Sequence, residues 1–262
     1  MLRRFALFAA LVFGFNYSFA HADELTFADA RALLLAGEYD SAISLGEAMG
    51  TADGLTLAAE SISAKVLLGY VDDRKDEAKR ARKLAAKALE MDQTSHEALV
   101  QYALAYGFEA QASSQFRAWR KKLPKKTRKA IDEVRQRFPD DPRGDALLGA
   151  WHLGIIREAG EEQAQDMFEA NEVDGIQYYE LALIKRPDDI IILSNYTASL
   201  LSLDASRHEK KAAALLQRIY EAPTANAVEI DVKTRMEQFR PHLENPEKLT
   251  ELAETLLDGE QN

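Results

Sequence analysis

Signals that end a helix recur along this chain at long, similar intervals, and the sequence between them is rich in helix-forming residues. Measured from positions 50, 93, 139, 187 and 223, the intervals are 43, 46, 48 and 36 residues. No stretch shows the alternation of β-branched and polar residues that is typical of a strand. We therefore predict an all-α protein built from helix pairs, which end at Gly50, Asp92-Gln93, Phe138-Pro139, Arg186-Pro187 and Ala222-Pro223.

The intervals place about five helix pairs and one terminal cap along the chain. The pairs are predicted at 24–49, 52–91, 95–138, 143–186 and 189–221, and the cap at 225–258. Within the cap, Glu244-Asn245-Pro246 predicts the start of the last helix, because proline suits the first helical position. A cap is expected because the last unit of a helical stack must cover its exposed end.

Several segments carry small and aromatic residues at helix-pair spacing. The segment Gly37 to Ile43 contains a glycine, an aromatic residue and an alanine, and Leu148-Gly149 follows later in the chain. Tyr179, Ala182 and Leu183 repeat the aromatic, alanine and leucine pattern. These segments resemble the tetratricopeptide repeat, a family of stacked helix pairs. The resemblance implies a tetratricopeptide-like α-solenoid in which Tyr179, Ala182 and Leu183 are core residues, because small residues let helices approach closely.

The first 22 residues have the pattern of a signal peptide. Arg3 and Arg4 precede an apolar run from Phe5 to Phe15, which is shorter than the roughly 20 residues of a membrane-spanning helix. Ala20-His21-Ala22 matches a signal-peptidase site. We predict cleavage after Ala22, a single helical-repeat domain over 23–262, and a periplasmic or secreted location. The alternative is an uncleaved anchor.

Charge is distributed unevenly along the chain. The net charge is −10 at pH 7 and becomes −12 when the leader with its two arginines is removed. Such an acidic protein is not expected to bind nucleic acid. The basic segment Arg117 to Lys129 is the exception, with eight basic residues and no acid around a helix-breaking Pro124. It is expected to be a basic turn. The functional interpretations are contact with an acidic partner, with the protein's own acidic stretch at 161–174 or, less favourably, with an anionic membrane, and the alternative is a solvated turn that keeps the protein soluble.

The sequence predicts no cofactor, metal or catalytic residues. It has no phosphate-binding loop, paired-histidine zinc helix or serine-hydrolase elbow, and it contains no cysteine. We therefore expect a non-enzymatic protein-protein interaction scaffold. The alternative is a small-molecule or solute-binding accessory protein, because the predicted architecture is similar to the T component of TRAP transporters. An enzyme with an unrecognised site is the third hypothesis.

The resemblance implies that the first helices of the pairs line a concave binding face for a protein partner or an apolar ligand. Trp151-His152 is its most suggestive pair, although Trp151 is also a good core residue. The groove is expected to be open or closed by the inserted segment 160–175. The candidate face consists of Val100, Leu104, Arg143, Ala150, Trp151, His152, Ser194, Asn195 and Ala198.

Overall fold

The computed structural model describes residues 26–259, and all regular secondary structure in this range is helical, which confirms the predicted all-α class. The predicted leader and the cleavage site after Ala22 lie outside the described residues.

A short 3-10 turn at Arg240–His242 precedes the last helix. The α-helices are α1 (Phe27–Leu35), α2 (Tyr39–Met49), α3 (Ala52–Leu67), α4 (Arg74–Met91), α5 (His96–Gln111), α6 (Gln115–Arg120), α7 (Leu123–Arg137), α8 (Pro142–Ala159), α9 (Glu161–Phe168), α10 (Glu172–Lys185), α11 (Ile190–Glu221), α12 (Ala227–Glu237) and α13 (Pro246–Asp258).

The helix ends are set by local sequence signals. Gly50 ends α2 in the left-handed conformation at φ 63°, which glycine adopts without steric cost. Proline follows three of the other ends and restricts the preceding residue to extended backbone. The predicted ends of the pairs are confirmed, since the residues that cap them are Gly50, Asp92, Phe138, Arg186 and Ala222.

Polar side chains begin most of the long helices. The Thr26 hydroxyl accepts a hydrogen bond from the Asp29 backbone N–H, and the Asp29 carboxylate accepts one from the Thr26 N–H, which forms a capping box. Asn245 caps α13 with Pro246 at its first position, as predicted. Each such cap stabilises a helix by about 1 kcal/mol. Side-chain caps also begin α3, α4, α5, α8, α10, α11 and α12.

Neighbouring helices pack in chain order, and alternate helices also touch. α3 packs on α5, α5 on α8 and α8 on α11, so α1, α3, α5, α8 and the first half of α11 form an inner row. The short helices α6 and α9 are inserted into the third and fourth predicted pairs. Asp204 interrupts α11 with extended backbone and accepts a hydrogen bond from the Arg207 N–H, so the fifth predicted pair consists of two helices joined at Asp204.

The contact between α8 and α10 depends on two glycines. A Cβ on Gly149 would lie 2.7 Å from Cδ2 of Tyr179, and one on Gly175 would lie 2.5 Å from Cδ2 of Leu153. Side chains cannot occupy such positions without displacing a neighbour. The close approach buries Tyr179 completely. The predicted core residues Tyr179, Ala182 and Leu183 are confirmed as buried.

The last two helices pack against the inner row, and both contribute residues to one cavity beside it. α12 contacts α1, and Arg235 Nη1 donates a hydrogen bond of 3.3 Å to the Leu67 carbonyl. α13 packs on α11, where Thr250 Oγ1 donates to the Leu201 carbonyl at 3.1 Å. We call α12 and α13 the closing helices. No residue of segment 160–175 lines the cavity to which α12 and α13 contribute.

Candidate binding cavity

A cavity of about 420 Å³ lies between the inner row and the closing helices. This volume falls within the range of small-molecule binding sites in proteins. Most of its wall comes from the inner row and from the closing helices. Residues of α4, α6, α7 and α10 complete it. The cavity therefore forms only when α12 and α13 pack against the row of helices that begins with α1.

The middle of the cavity is apolar. Gly107 of α5 and Gly154 of α8 both face open space, since a Cβ at either position would meet no atom within 4 Å. Glycine inside a helix costs about 1 kcal/mol relative to alanine, and no close contact requires it here. The two glycines widen the cavity. Apolar residues that line it include Leu34, Ala64, Val100, Ala103, Leu104, Ala146, Leu147, Ala150, Ile155, Ile191, Val228, Val232 and Leu256.

One end of the cavity is closed by paired charges, and we call it the ion-paired end. Arg143 binds Glu97 at 2.8 Å and Asp141 at 2.8 Å, while Arg31 binds Glu60 at 2.7 Å. Burial raises the pKa of Glu60, Glu97 adds repulsion, and Arg31 opposes the shift. Burial alone would lower the pKa of Arg143, but hydrogen bonds to Asp141 and Glu97 raise it above its ordinary value. Two guanidinium groups thus face three carboxylates, so each positive charge at this end has a partner.

The opposite end carries three arginines, Arg74, Arg157 and Arg235, and we call it the arginine end. Arg74 Nη2 donates to Gln111 Oε1 at 3.3 Å. Arg157 Nη2 donates to Asp258 Oδ1 at 3.0 Å. The pKa of Arg74 is lowered to about 10, first by burial and then by repulsion from Arg157 and Arg235, while Asp258 opposes the shift. The arginines therefore share a partly desolvated environment with the carboxylates of Asp258 and Glu158.

Six residues of the cavity wall contain a buried polar atom without a hydrogen-bond partner among the described residues. Leaving a buried polar group unpaired costs about 1–3 kcal/mol, and these six atoms are themselves enclosed by the surrounding protein. Ser194 and Ser63 are only 2% and 3% exposed. The atoms are Ser63 Oγ, Arg74 Nε, Gln101 Oε1, Thr127 Oγ1, Arg157 Nη1 and Ser194 Oγ.

The structure brings most of the predicted face together around this cavity. His152 and Ala198 are the exceptions, since neither lines it. Ala198 is fully buried in the core further along α11. The predicted residues that do line the cavity are Val100, Leu104, Arg143, Ala150, Trp151, Ser194 and Asn195.

Trp151 and His152 are separated by the geometry of the helix, because consecutive residues point about 100° apart. Trp151 lines the cavity and also acts as a core residue, with Nε1 donating to the Pro124 carbonyl at 3.0 Å. His152 faces α10 instead, where Nδ1 accepts from the Asn171 N–H at 3.2 Å and the ring stacks on Tyr178. Burial lowers the pKa of His152 to about 4, and the nearby Arg128 contributes.

Sequence reasoning missed the arginine end and several polar residues of the wall. It considered only the first helices of the pairs, whereas Arg74 begins a second helix and Arg235 belongs to a closing helix. The sequence does contain one indication of a polar wall. In α5, the polar Gln101 directly follows Val100, which belongs to the predicted binding face, and both residues line the cavity. The missed polar residues of the wall include Glu60, Ser63, Arg74, Gln101, Thr127, Arg157 and Arg235.

The basic segment forms α6, a turn and the start of α7. Pro124 stands near the start of α7, so the break predicted there lies at Lys121 and Lys122 instead. Seven of its eight basic residues are exposed, and so is 76% of the neighbouring Phe116. The acidic stretch does not pair with this segment, since Glu161 and Glu172 bind Arg207. Gln115, Ala118 and Trp119 of α6 line the cavity, so the segment adjoins it.

Comparison with protein-family models and with curated proteins finds no match for this chain. Within residues 26–259, no helix combines the length and apolar character needed to span a membrane. In the same range, no three His, Asp or Glu side chains are grouped as ligands for a metal ion. The cavity is therefore the feature on which a functional proposal can be based.

Proposed function

We propose that this protein is a non-enzymatic binding protein that holds one small molecule with an apolar body inside the cavity. The observation that carries the proposal is a cavity of about 420 Å³ with a mostly apolar wall. Protein interiors are close-packed, and voids much larger than a water molecule are few. A space of this size inside a small helical protein is best explained by a ligand that fills it.

The wider proposal concerns architecture and location. We propose that the helix pairs are tetratricopeptide-like units and that the protein is exported by its leader. A ligand-binding protein of this architecture would be similar to the T component of TRAP transporters, and the role of solute-binding accessory protein follows from that similarity. The support is the order of packed helix pairs and the cavity on their inner side.

A second candidate function is the interaction scaffold, and the basic segment favours it. Its exposed lysines and arginines surround the exposed ring of Phe116, and aromatic and basic residues are frequent in protein interfaces. Residues of the closing helices line the cavity beside the inner row, so a scaffold of this kind would use the basic segment rather than the groove. The two functions are compatible, because the segment adjoins the cavity.

The proposal is tested with N-phenyl-1-naphthylamine, a neutral apolar dye that fluoresces strongly in dry cavities. We expect the purified protein to bind it saturably with one site per chain. Gly107→Leu should abolish binding because the side chain enters the open space, whereas Gly107→Ala at the same position should retain most of it. Both variants should fold, since each removes a helix-interior glycine. No saturable binding, or equal binding by the leucine variant, would show that the cavity is not the site.

A further inference from the structure

We infer that the basic segment docks this protein on an anionic lipid membrane, and that the edge of the cavity beside α6 then faces the lipid. The inference rests on the proposed function and specifies where the ligand comes from. An apolar ligand partitions from water into membranes, so a protein that binds it gains by taking it directly from the lipid. An acidic protein is the competing partner for this segment and is one of the outcomes of the test.

The exposed side of α6 combines an aromatic ring with positive charge. Phe116 is 76% exposed, more than any other large apolar side chain in residues 26–259. The Arg120 guanidinium lies over its ring, 5.9 Å from the centroid. Aromatic side chains beside lysines and arginines are typical of helices that lie in the interface of a membrane, where the ring enters the lipid and the cations contact the headgroups.

Basic side chains continue from α6 onto α7. Lys129 follows Lys125 and Lys126 by four and three residues, a spacing that places all three on one side of the helix, and all three are exposed. Lys122, also exposed, lies just before α7. Since α6 contains six residues and spans about 9 Å, Phe116 lies close to the turn at which these lysines begin. The ring and the cations therefore belong to one small region of the surface.

Few of these positive charges are neutralised by the protein itself. Of the eight basic residues, Lys121 lies 3.6 Å from Glu109 and Arg128 binds Asp132 at 3.0 Å. Three exposed acids of α9 and its end have no ion pair among the described residues, and each of the other exposed acids of α7, α8 and α9 contacts an arginine. Positive charge is therefore in excess even when those three acids are counted. The basic residues without an ion pair within residues 26–259 are Arg117, Arg120, Lys122, Lys125, Lys126 and Lys129, and the three acids are Glu162, Asp166 and Glu169.

An anionic membrane complements both parts of this surface. Its headgroups attract the cations, with about a fivefold gain in affinity for each basic side chain that reaches them, and its apolar interior accepts the ring of Phe116. The chain as a whole has a net charge of −10, so a membrane repels the rest of the protein and attracts this segment. Salt screens charges that lie more than about 8 Å from the membrane, which limits that repulsion. The segment therefore sets the orientation in which the protein docks.

The same short helix forms an edge of the cavity. Gln115, Ala118 and Trp119 line the cavity from a different side of α6 than the one that carries Phe116. Gln115 and Glu158 both line the cavity and are both exposed, and Gln115 Nε2 donates to the Glu158 carbonyl at 2.8 Å. The cavity wall thus reaches the protein surface beside α6. A ligand that leaves the membrane at this edge enters the cavity without crossing water.

Sedimentation with phospholipid vesicles tests the docking surface. We expect the protein to bind vesicles of equal parts phosphatidylglycerol and phosphatidylcholine at least about tenfold more tightly than vesicles of phosphatidylcholine alone, because several cations reach the headgroups together. High salt should weaken this binding. Replacing four exposed lysines of the segment by glutamate should abolish it, whereas Lys83→Glu with Lys87→Glu on α4 should not. The four are Lys122, Lys125, Lys126 and Lys129.

Phe116→Ser distinguishes a membrane from an acidic protein as the partner. The change keeps every charge, so binding of soluble polyglutamate should be unaffected, whereas binding of the anionic vesicles should weaken by about tenfold because no ring enters the lipid. Ile184→Ser is the matched control, since Ile184 is 74% exposed but lies on α10. If Phe116→Ser binds the anionic vesicles as tightly as the wild-type protein does, the segment does not dock on lipid and the inference is wrong.

Transfer of N-phenyl-1-naphthylamine from the loaded protein to vesicles that carry a quenching lipid tests the position of the cavity edge. We expect the transfer rate to rise with the concentration of anionic vesicles and to fall severalfold in Phe116→Ser, while equilibrium dye binding is unchanged because Phe116 does not line the cavity. A rate independent of vesicle concentration would mean that the dye leaves through water, which contradicts the inference. Vesicle binding needs no ligand, so binding of anionic vesicles without binding of the dye would refute the proposed function and still support the docking surface.

Discussion

Arg235 of α12 donates a hydrogen bond to the carbonyl of Leu67 across 168 positions of sequence, at 3.3 Å. Nearby, the Tyr70 hydroxyl donates to Asp231 at 3.2 Å, so the same two regions are joined twice. These bonds attach the end of the chain to the end of α3 and the loop that follows it. They hold α12 against the row of helices and so help to form the cavity on which the functional proposal rests.

Leu183 should contribute strongly to stability, because it is buried where α10 packs into the core. Leu183→Ala is expected to lower the free energy of unfolding by about 2–5 kcal/mol. Leu181→Ala on the same helix is the control and should have a much smaller effect, because Leu181 is 36% exposed. Urea unfolding followed by circular dichroism measures both. Equal losses for the two variants would contradict the observed orientation of α10.

Gly149 and Gly154 lie on the same helix but should respond oppositely to alanine. Gly149→Ala is expected to destabilise the protein by about 1–3 kcal/mol, because the new Cβ would overlap Tyr179 and the Gly175 carbonyl. Gly154→Ala should be neutral or stabilising by up to about 1 kcal/mol, because its Cβ enters open space. Thermal unfolding of the two variants tests this difference, and a similar melting temperature for both would refute it.

Stability should fall on acidification through His152. Its pKa in the folded protein is about 4, below the ordinary value of 6.5, so the unfolded chain binds the proton more readily. The contribution of neutral His152 to the free energy of unfolding is therefore complete above about pH 6.5, and it is lost progressively as the pH falls towards 4. His208 has a lowered pKa from burial and acts in the same direction.

Urea unfolding between pH 4 and 8 measures this dependence. His152→Gln should flatten the part of the pH profile that His152 causes, relative to the wild-type protein. The carboxylates of the protein also titrate in the lower part of the range, so the comparison with the wild-type protein carries the result. An unchanged slope in His152→Gln would mean that this histidine is not held neutral in the folded protein.

The basic segment should behave as an interaction surface whose charge does not stabilise the fold. Replacing its exposed lysines by glutamate is expected to leave the melting temperature nearly unchanged but to remove salt-sensitive capture of acidic partners. Pull-down at low and high salt measures the capture, with Lys83→Glu and Lys87→Glu on α4 as the control. If the variant captured acidic partners as well as the wild-type protein does, the basic segment would not be their binding surface. The substituted residues are Lys122, Lys125, Lys126 and Lys129.

Export should remove the first 22 residues. The short apolar run after Arg3-Arg4 and the Ala20-His21-Ala22 site are the physical grounds. Intact-mass measurement of protein released from the periplasm is expected to give a chain that begins at Asp23. A full-length mass in the soluble cytoplasmic fraction would contradict the predicted location.

Helix positions and much of the inner surface could be predicted because their signals are local. Gly50 and the X-Pro pairs end helices through their own backbone preferences, and Asn245-Pro246 begins one. The lining positions Val100, Leu104 and Ala150 followed from helical periodicity and the repeat resemblance. Periodicity alone could not separate Trp151 from His152, because the side that each faces depends on which helices are neighbours.

The amino-acid sequence by itself determined the all-α class, the ends of the helix pairs and the burial of Tyr179, Ala182 and Leu183. Only the tertiary structure decided that α12 and α13 pack against the inner row and that Arg74, Arg157 and Arg235 line one cavity beside it. The physical reason is the range of the interactions. Caps and helical periodicity act within a few residues, whereas the cavity arises from packing between segments that lie far apart in the chain.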